Sequence, residues 1–384
     1  MKPPSCLIRL LSLASLVDLA LGGHSPDPEA LAYIRVKELQ VQYQKHIVDT
    51  IRPRKTGCTT KTILRRREWG SLPKHERLAY IDAVYCLANK TAQTPPSQVP
   101  GARSRYDDFV GLHIQQTLFV HSDGLFLPFH RHLVHLYERA LRDECGFRGA
   151  QPYWDWTLSY KDPRNSSVLD GAPWSLGSNG DYIPKRAPTA VVFPGRPGFA
   201  FPPATGGGCV QSGPFTEDKF QVNLGPVGFL PVGPDGGYGY NPRCLARDLN
   251  PAFSTCLRPT NVTKLIDGCG GDLGCFNVEL DIPGGLHSSG HFQMGGISLD
   301  IFASPADPVF WLHHAQIDRL WAIWQGQALR ARRDLVWGTS TSNNYPPSDN
   351  ITLDYPVTFG VFGPSKPVRE LVSSIDGPHC YIYE

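Results

Sequence analysis

Beyond its amino-terminal stretch the chain has no run approaching the roughly 20 apolar residues of a membrane-spanning helix, so no span is expected in the rest of it. Neither sign of charge is in excess: 37 Lys and Arg meet 35 Asp and Glu, a formal net charge of +2. The basic residues are scattered apart from Arg65, Arg66 and Arg67, which leaves no patch to grip a polyanion and excludes nucleic acid as a partner. No pair of cysteines has the C-x-x-C spacing of a zinc or dithiol redox site. A fixed-period repeat and a low-complexity linker are lacking too, so one domain is the simpler division.

What is present is ample material for a core: 384 residues, 41% hydrophobic and 11% aromatic. The opening "MKPPSCLIRLLSLASLVDLALGG" has a basic start, an apolar stretch and a small-residue exit at Ala20, Leu21 and Gly22. Those are the parts of a secretory signal peptide over 1–22, which makes 23–384 the mature domain and its destination extracellular. N-x-S/T sequons at Asn89, Asn165, Asn261 and Asn350 fit a secreted chain. Removing the leader takes Cys6 and leaves nine cysteines, which in an oxidising compartment should pair with one left over. Between Gly171 and Cys244, 27 of 74 residues are Gly or Pro, so this stretch is expected to be loop with a few short strands. Cys209, Cys244, Cys256, Cys269 and Cys275 are its expected pins.

Helical spacing is clear elsewhere. "SLPKHERLAYIDAVYCLANK" from Ser71 places Leu78, Ile81, Ala83, Val84 and Leu87 at helical intervals, with Pro73 in a tolerated first-turn position. "SRYDDFVGLHIQQ" from Ser104, "FHRHLVHLYERALRDE" from Phe129 and "DPVFWLHHAQIDRLWAIWQGQAL" from Asp307 show the same pattern. These amphipathic segments predict a mainly α fold around a four-helix bundle, an architecture that builds metal sites from side chains on facing helices.

The stretch "HSDGLFLPFHRHLVH", His121 to His135, mixes core residues with four histidines, and a core that accepts imidazoles must give each ring nitrogen a partner. His113, His121 and His130 have seven and eight residues between them. With His113 on one helix, His121 in the loop and His130 beginning the next helix, the three rings can converge. His132 and His135 turn away from the His130 face and are expected to be structural or exposed. In "HSSGH", His287 and His291 stand four apart, so both can project to one side of a helix. "DPVFWLHHAQID" then supplies His313 and His314, with Asp318 one turn beyond His314 and placed to orient it. With no cysteine or carboxylate placed among them, the donors are nitrogen-only, which suits copper or zinc and argues against calcium or magnesium. Six neutral donors favour a copper pair that binds dioxygen over a two-zinc hydrolase, which more often brings a bridging carboxylate and an acidic base.

"HSDGLFLPFHRHLVHLYE" resembles the first copper motif of the tyrosinase, catechol oxidase and hemocyanin superfamily, and "DPVFWLHHAQIDRLW" resembles the second. "PYWDW" at Pro152–Trp156 is similar to the stretch that follows the first motif in fungal and bacterial tyrosinases, and the likeness runs from about Ile51 to the end. The resemblance implies a four-helix bundle around two copper ions, a type 3 pair. It makes His113, His121 and His130 the ligands of copper A, and His287, His291 and His314 those of copper B. His314 is taken over His313 because the family's ligand precedes its aspartate by four residues.

The implied activity is that of a short fungal-type polyphenol oxidase. Such an enzyme acts on small phenols, turning o-diphenols into o-quinones while dioxygen is reduced to water. Monophenol hydroxylation and hemocyanin-like oxygen carriage are the alternatives. The residues before His121 are "TLFV", so no cysteine–histidine thioether is expected. Members that hydroxylate monophenols often place Asn or Asp after the first copper B histidine, where it positions a water; Ser288 stands there and implies diphenol oxidation. Glu279, eight residues before His287, would be the family's water-holding glutamate, with Asp281 as a substitute. Phe292 would narrow the mouth of the site, and Ala303, just before "SPAD", would leave the gate above copper open. The final "YIYE" resembles the Tyr-x-Tyr signature closing the family's core domain; with no shielding domain after it, the site is expected to be open without proteolytic activation.

Overall fold

A computed structural model describes residues 26–192 and 198–384; the expected leader over 1–22 lies outside them. The helices that frame the molecule are α1 Pro28–Ile51, α2 Lys74–Asn89, α3 Arg105–Gln116, α4 Phe126–Asp143, α5 Pro251–Ser254, α6 Pro259–Gly268, α7 Leu273–Asp281, α8 Leu286–Met294 and α9 Val309–Gly326. Among the described residues, none is long and apolar enough to cross a membrane. Ten short strands among the described residues pair two by two: β1 Leu64–Arg66, β2 Gly180–Tyr182, β3 Thr189–Val191, β4 Phe199–Phe201, β5 Gly207–Val210, β6 Gln221–Val222, β7 Arg243–Cys244, β8 Pro356–Val357, β9 Lys366–Pro367 and β10 Tyr381–Tyr383. The fold is mainly helical, as the spacing predicts, and the β2·β5, β3·β4 and β6·β7 ribbons fall in the Gly/Pro-rich stretch.

The expected helices form, and local chemistry explains their starts. At α3, the Ser104 hydroxyl accepts from the Asp107 backbone N–H while the Asp107 carboxylate accepts from that of Ser104, a reciprocal capping box. At α1, absent from the sequence reading, the Asp27 carboxylate accepts from the Glu29 N–H and Pro28 occupies the first helical position. α1 buries Ala32, Val36, Leu39, Tyr43, Ile47 and Ile51, a three- and four-residue spacing that lays it against α6 and α9. α9 is buried along its whole length rather than on one stripe, because α1, α4, α6 and α8 surround it. The four helices legible in the sequence are also not the four that matter for the site. α2 packs on the far side of α3 and α4, and the ligand-bearing partner is the nine-residue α8, too short to show a periodicity.

Disulfides tie the periphery down. Cys58–Cys380 joins the segment before β1 to that before β10, and β1 pairs with β10 in parallel, Arg66 opposite Tyr383. Cys86–Cys145 links α2 to the end of α4, and Cys209–Cys244 pins the Gly/Pro-rich stretch as expected. Cys269–Cys275 instead closes the short turn between α6 and α7, so it does not pin that stretch. No cysteine is free among the described residues of the full-length chain.

His132 and His135 point away from His130 as expected, but neither is exposed. They meet His379 in a separate buried cluster, where His132 Nδ1 lies 3.0 Å from His379 Nε2. Burial, then Arg66 and Arg139, push His135 down to about 3. It is neutral when folded and ionises when unfolded, so the unfolded state binds more protons between that value and about 6.5. Its contribution to stability therefore falls as pH drops through this window, by about 1.4 kcal/mol per pH unit. Since His135 Nδ1 has no hydrogen-bond partner, His135→Leu is expected to be harmless at pH 7 and to flatten the acid limb of urea midpoints measured from pH 7 to 4. An unchanged acid limb would mean this imidazole does not titrate on unfolding.

Candidate metal centre

Four elements and one loop deliver the histidines. His113 lies near the end of α3, His121 in the loop after it, His130 in the second turn of α4, His287 and His291 one turn apart on α8, and His314 on α9. All six are buried. The approach of α8 to α9 depends on the glycine of "HSSGH": a Cβ at Gly290 would fall 2.1 Å from His313 Cε1.

Hydrogen bonds set the tautomers. His113 Nδ1 donates to Phe302 O at 2.7 Å, His121 Nδ1 to Thr117 O at 3.0 Å and His130 Nδ1 to Phe126 O at 2.8 Å. His287 Nδ1 donates to Asp281 Oδ1 at 2.6 Å, and His291 Nδ1 pairs with Ser298 Oγ at 3.3 Å. Carbonyl and carboxylate oxygens only accept, so in His113, His121, His130 and His287 the proton sits on Nδ1 and Nε2 carries a bare lone pair. The Nε2 atoms turn toward one another: His130 Nε2 is 3.4 Å from His113 Nε2, and His291 Nε2 is 3.1 Å from His287 Nε2 and 3.2 Å from His314 Nε2. Facing lone pairs with no proton between them repel, and a cation between them reverses the sign. Within each group the candidate donor atoms lie within 4.8 Å of one another.

The two groups adjoin. The His130 and His314 rings stack with centroids 4.4 Å apart, and those of His121 and His287 lie 6.1 Å apart. Burial first, and neighbouring imidazoles second, hold His113, His130, His291 and His314 well below the usual imidazole range. Burial likewise brings His121 down to about 4. Near pH 7 these rings are neutral donors, a set that fits two metal ions side by side.

His313 lies within reach of the second group, yet both its nitrogens are engaged. Nδ1 accepts from Trp156 Nε1 at 3.1 Å, which leaves the proton on Nε2, and Nε2 donates to His287 O at 3.1 Å. The adjacent His314 keeps Nε2 among the donors, so the hydrogen bonds favour His314 as the ligand.

A cavity opens onto His121, His287 and His291, walled by Leu118, Phe199, Phe292, Leu299 and Ile301. Phe292 lines it as expected, braced by Phe201 and Phe253 at ring separations of 4.7 and 5.2 Å. Ser288 lines it too, but its hydroxyl donates to Ile282 O at 2.6 Å and accepts from Gly284 N at 3.1 Å, so it serves the loop entering α8.

Three expectations need correction. Glu279 is exposed on the outer face of α7, away from this cavity; two residues on, the helix ends with Asp281 turned inward against His287. Ala303 is fully buried and absent from the cavity wall, because the Gly/Pro-rich stretch covers it: a Cβ at Gly225 would come within 2.7 Å of the Ala303 Cβ. Asp318 makes no hydrogen bond to His314. Its Oδ1 takes Arg131 Nε at 2.5 Å and its Oδ2 takes the Tyr381 and Tyr383 hydroxyls, each at 2.6 Å. Against the cost of burial, Arg131 and Arg66 hold its carboxyl below the usual range. The walls Leu118, Phe199, Leu299 and Ile301 were missed, since no local pattern distinguishes a cavity wall from ordinary core.

Comparison with known proteins places this geometry. A family model for the common central domain of tyrosinase matches residues 103–327, a span that contains all six histidines. Tyrosinase P of Aspergillus terreus is 40% identical over 329 residues, covering 83% of this chain and 91% of its own. N-acetyl-6-hydroxytryptophan oxidase ivoB of Emericella nidulans is 38% identical over 352 residues, covering 85% and 94%. A solved structure of a mutant polyphenol oxidase from Thermothelomyces thermophila superposes with a TM-score of 0.83 at 41% identity, covering 91% of this chain and 98% of that one.

Proposed function

Because the chain belongs to the tyrosinase family, whose members hold a dinuclear copper site, we propose that it is a secreted polyphenol oxidase that converts o-diphenols to o-quinones with dioxygen as acceptor. The observation that carries this reading is the pair of adjoining imidazole groups with Nε2 lone pairs turned inward beside an apolar cavity. His113, His121 and His130 would hold one copper and His287, His291 and His314 the other; when bound, the pair supplies dioxygen binding and two-electron redox chemistry. Each diphenol yields two electrons and two protons, so two are consumed for every dioxygen reduced to two waters.

The chain's own residues do the rest. Backbone carbonyls fix the tautomers of His113, His121 and His130, so those donor nitrogens need no reorganisation. Phe292, Phe199 and Leu299 offer flat and branched apolar surface on which a phenol ring can lie, and they keep water from the reacting edge. The hydroxyl edge of the ring would then face His121, His287 and His291, the three ligands that the cavity exposes. The surface positions of Asn89, Asn165 and Asn350 support glycosylation in a secretory route. Oxygen uptake with a panel of catechols and monophenols tests the activity, and reversible dioxygen binding with catechol untouched would make the protein a carrier instead.

Hydroxylation of monophenols is the second reading, favoured by the tyrosinase name of one relative. The Ser288 hydroxyl spends its proton on Ile282 O and so has none to donate to a cavity water. Ser288→Asn is expected to raise the ratio of monophenol to diphenol rates about fivefold, the worth of one hydrogen bond of about 1 kcal/mol to a positioned water. An unchanged ratio would reject that role for the position, and comparable rates on tyrosine and catechol in the unaltered protein would favour the second reading.

A further inference from the structure

His287 differs from the other metal-facing histidines in what holds it. The acceptors for His113, His121 and His130 are neutral backbone carbonyls, and His291 pairs with a hydroxyl, whereas His287 Nδ1 donates to the Asp281 carboxylate. The same carboxylate is engaged on its other oxygen by the opposite half of the site. Asp281 Oδ2 accepts from the Ser122 backbone N–H at 3.0 Å and from the Ser122 hydroxyl at 2.8 Å. Ser122 directly follows His121 and has a φ of 55°, the left-handed region that costs a serine roughly 1 kcal/mol or more and persists only where surroundings enforce it. Asn343 N–H adds a third tie, donating to Ser122 O at 3.0 Å.

We infer that Asp281 is a positioning residue that couples the two metal half-sites, its carboxylate orienting the His287 donor nitrogen while holding the His121 loop in its strained register. The inference rests on the copper reading above. A carboxylate behind an imidazole also makes the ring a stronger donor, so His287 should bind its metal more tightly than its neutral-backed neighbours do. The family resemblance offers Asp281 only as a substitute for a water-holding glutamate; it stands instead behind a ligand, on His287 Nδ1.

The test is copper release from the purified holoprotein to bicinchoninate under reducing conditions, alongside copper per chain and thermal midpoint. Asp281→Asn keeps the side chain's size but cannot accept from Ser122 on its amide nitrogen and no longer backs His287 with charge. Release is expected to be 10- to 100-fold faster than in the unaltered protein. Ser122→Ala removes one of the two Ser122 contacts and is expected to have a smaller effect in the same direction. Glu279→Gln, exposed on the same helix, is expected to leave release unchanged. A folded Asp281→Asn that releases copper at the unaltered rate overturns the inference, as does an unaltered rate in Ser122→Ala should Asp281→Asn not fold. If the unaltered protein holds no copper pair, the copper reading itself fails, which is a separate and distinguishable result.

Discussion

Replacing His314 by alanine is expected to lower copper from two to about one per chain and to abolish oxygen uptake with catechol, while the same change at His313 leaves both coppers in place. The two residues are neighbours in sequence and both lie within reach of the second group, so proximity does not separate them. Their hydrogen bonds do. His313 is held between Trp156 Nε1 and His287 O, so its loss leaves a buried indole N–H without an acceptor, a cost of about 1–3 kcal/mol in stability. Its further effect on activity should stay within the 10- to 100-fold typical of groups that support ligands. His314 Nε2, 3.2 Å from His291 Nε2, has no such duty. Copper lost from His313→Ala and kept in His314→Ala would mean that the tautomer assignment is reversed.

The second large effect is expected at Asp318. This carboxylate is buried among Arg131, Arg66, Tyr381 and Tyr383, with Arg66 also paired to Glu138 at 2.7 Å and stacked on the Tyr381 ring at 3.5 Å. The network ties α4 and α9, the two longest ligand-bearing helices, to the β1·β10 pair and so to the end of the chain. Asp318→Asn leaves a buried guanidinium undercompensated, a loss of about 3–5 kcal/mol read from denaturant midpoints. Copper should stay at two per chain in the folded fraction, because no hydrogen bond joins Asp318 to His314. Copper loss without loss of stability would restore the orienting role that sequence spacing suggested. The carboxyl is held low in the folded state, so its share of stability is present near neutral pH and is lost as pH falls through the carboxylate range.

The contrast between the two aspartates shows what spacing conveys. Histidine spacing brought out His113, His121, His130, His287 and His291 with the His313–His314 pair, the family resemblance chose His314, and only the i to i+4 step from His287 to His291 is local geometry that repeats each turn. The i to i+4 relation of His314 and Asp318 was equally visible, yet it does not reveal that two arginines from α4 and β1 compete for the carboxylate. Glu279 and Asp281 are both acids on α7, and their fates depend on where that helix ends, at Asp281. Ala303 was read as an open gate because its covering loop arrives from Gly225, far away in sequence and without periodicity. α8 was legible only through its histidine pair one turn apart, because nine residues containing Ser, Ser and Gly show no apolar stripe. α1 could have been found from its own spacing.

Elemental analysis of the purified protein tests the central claim most directly. The account predicts two copper ions per chain, no stoichiometric zinc, and loss of copper in His130→Ala and His314→Ala but not in His132→Ala. Stoichiometric zinc, or copper that survives removal of either histidine, would contradict it.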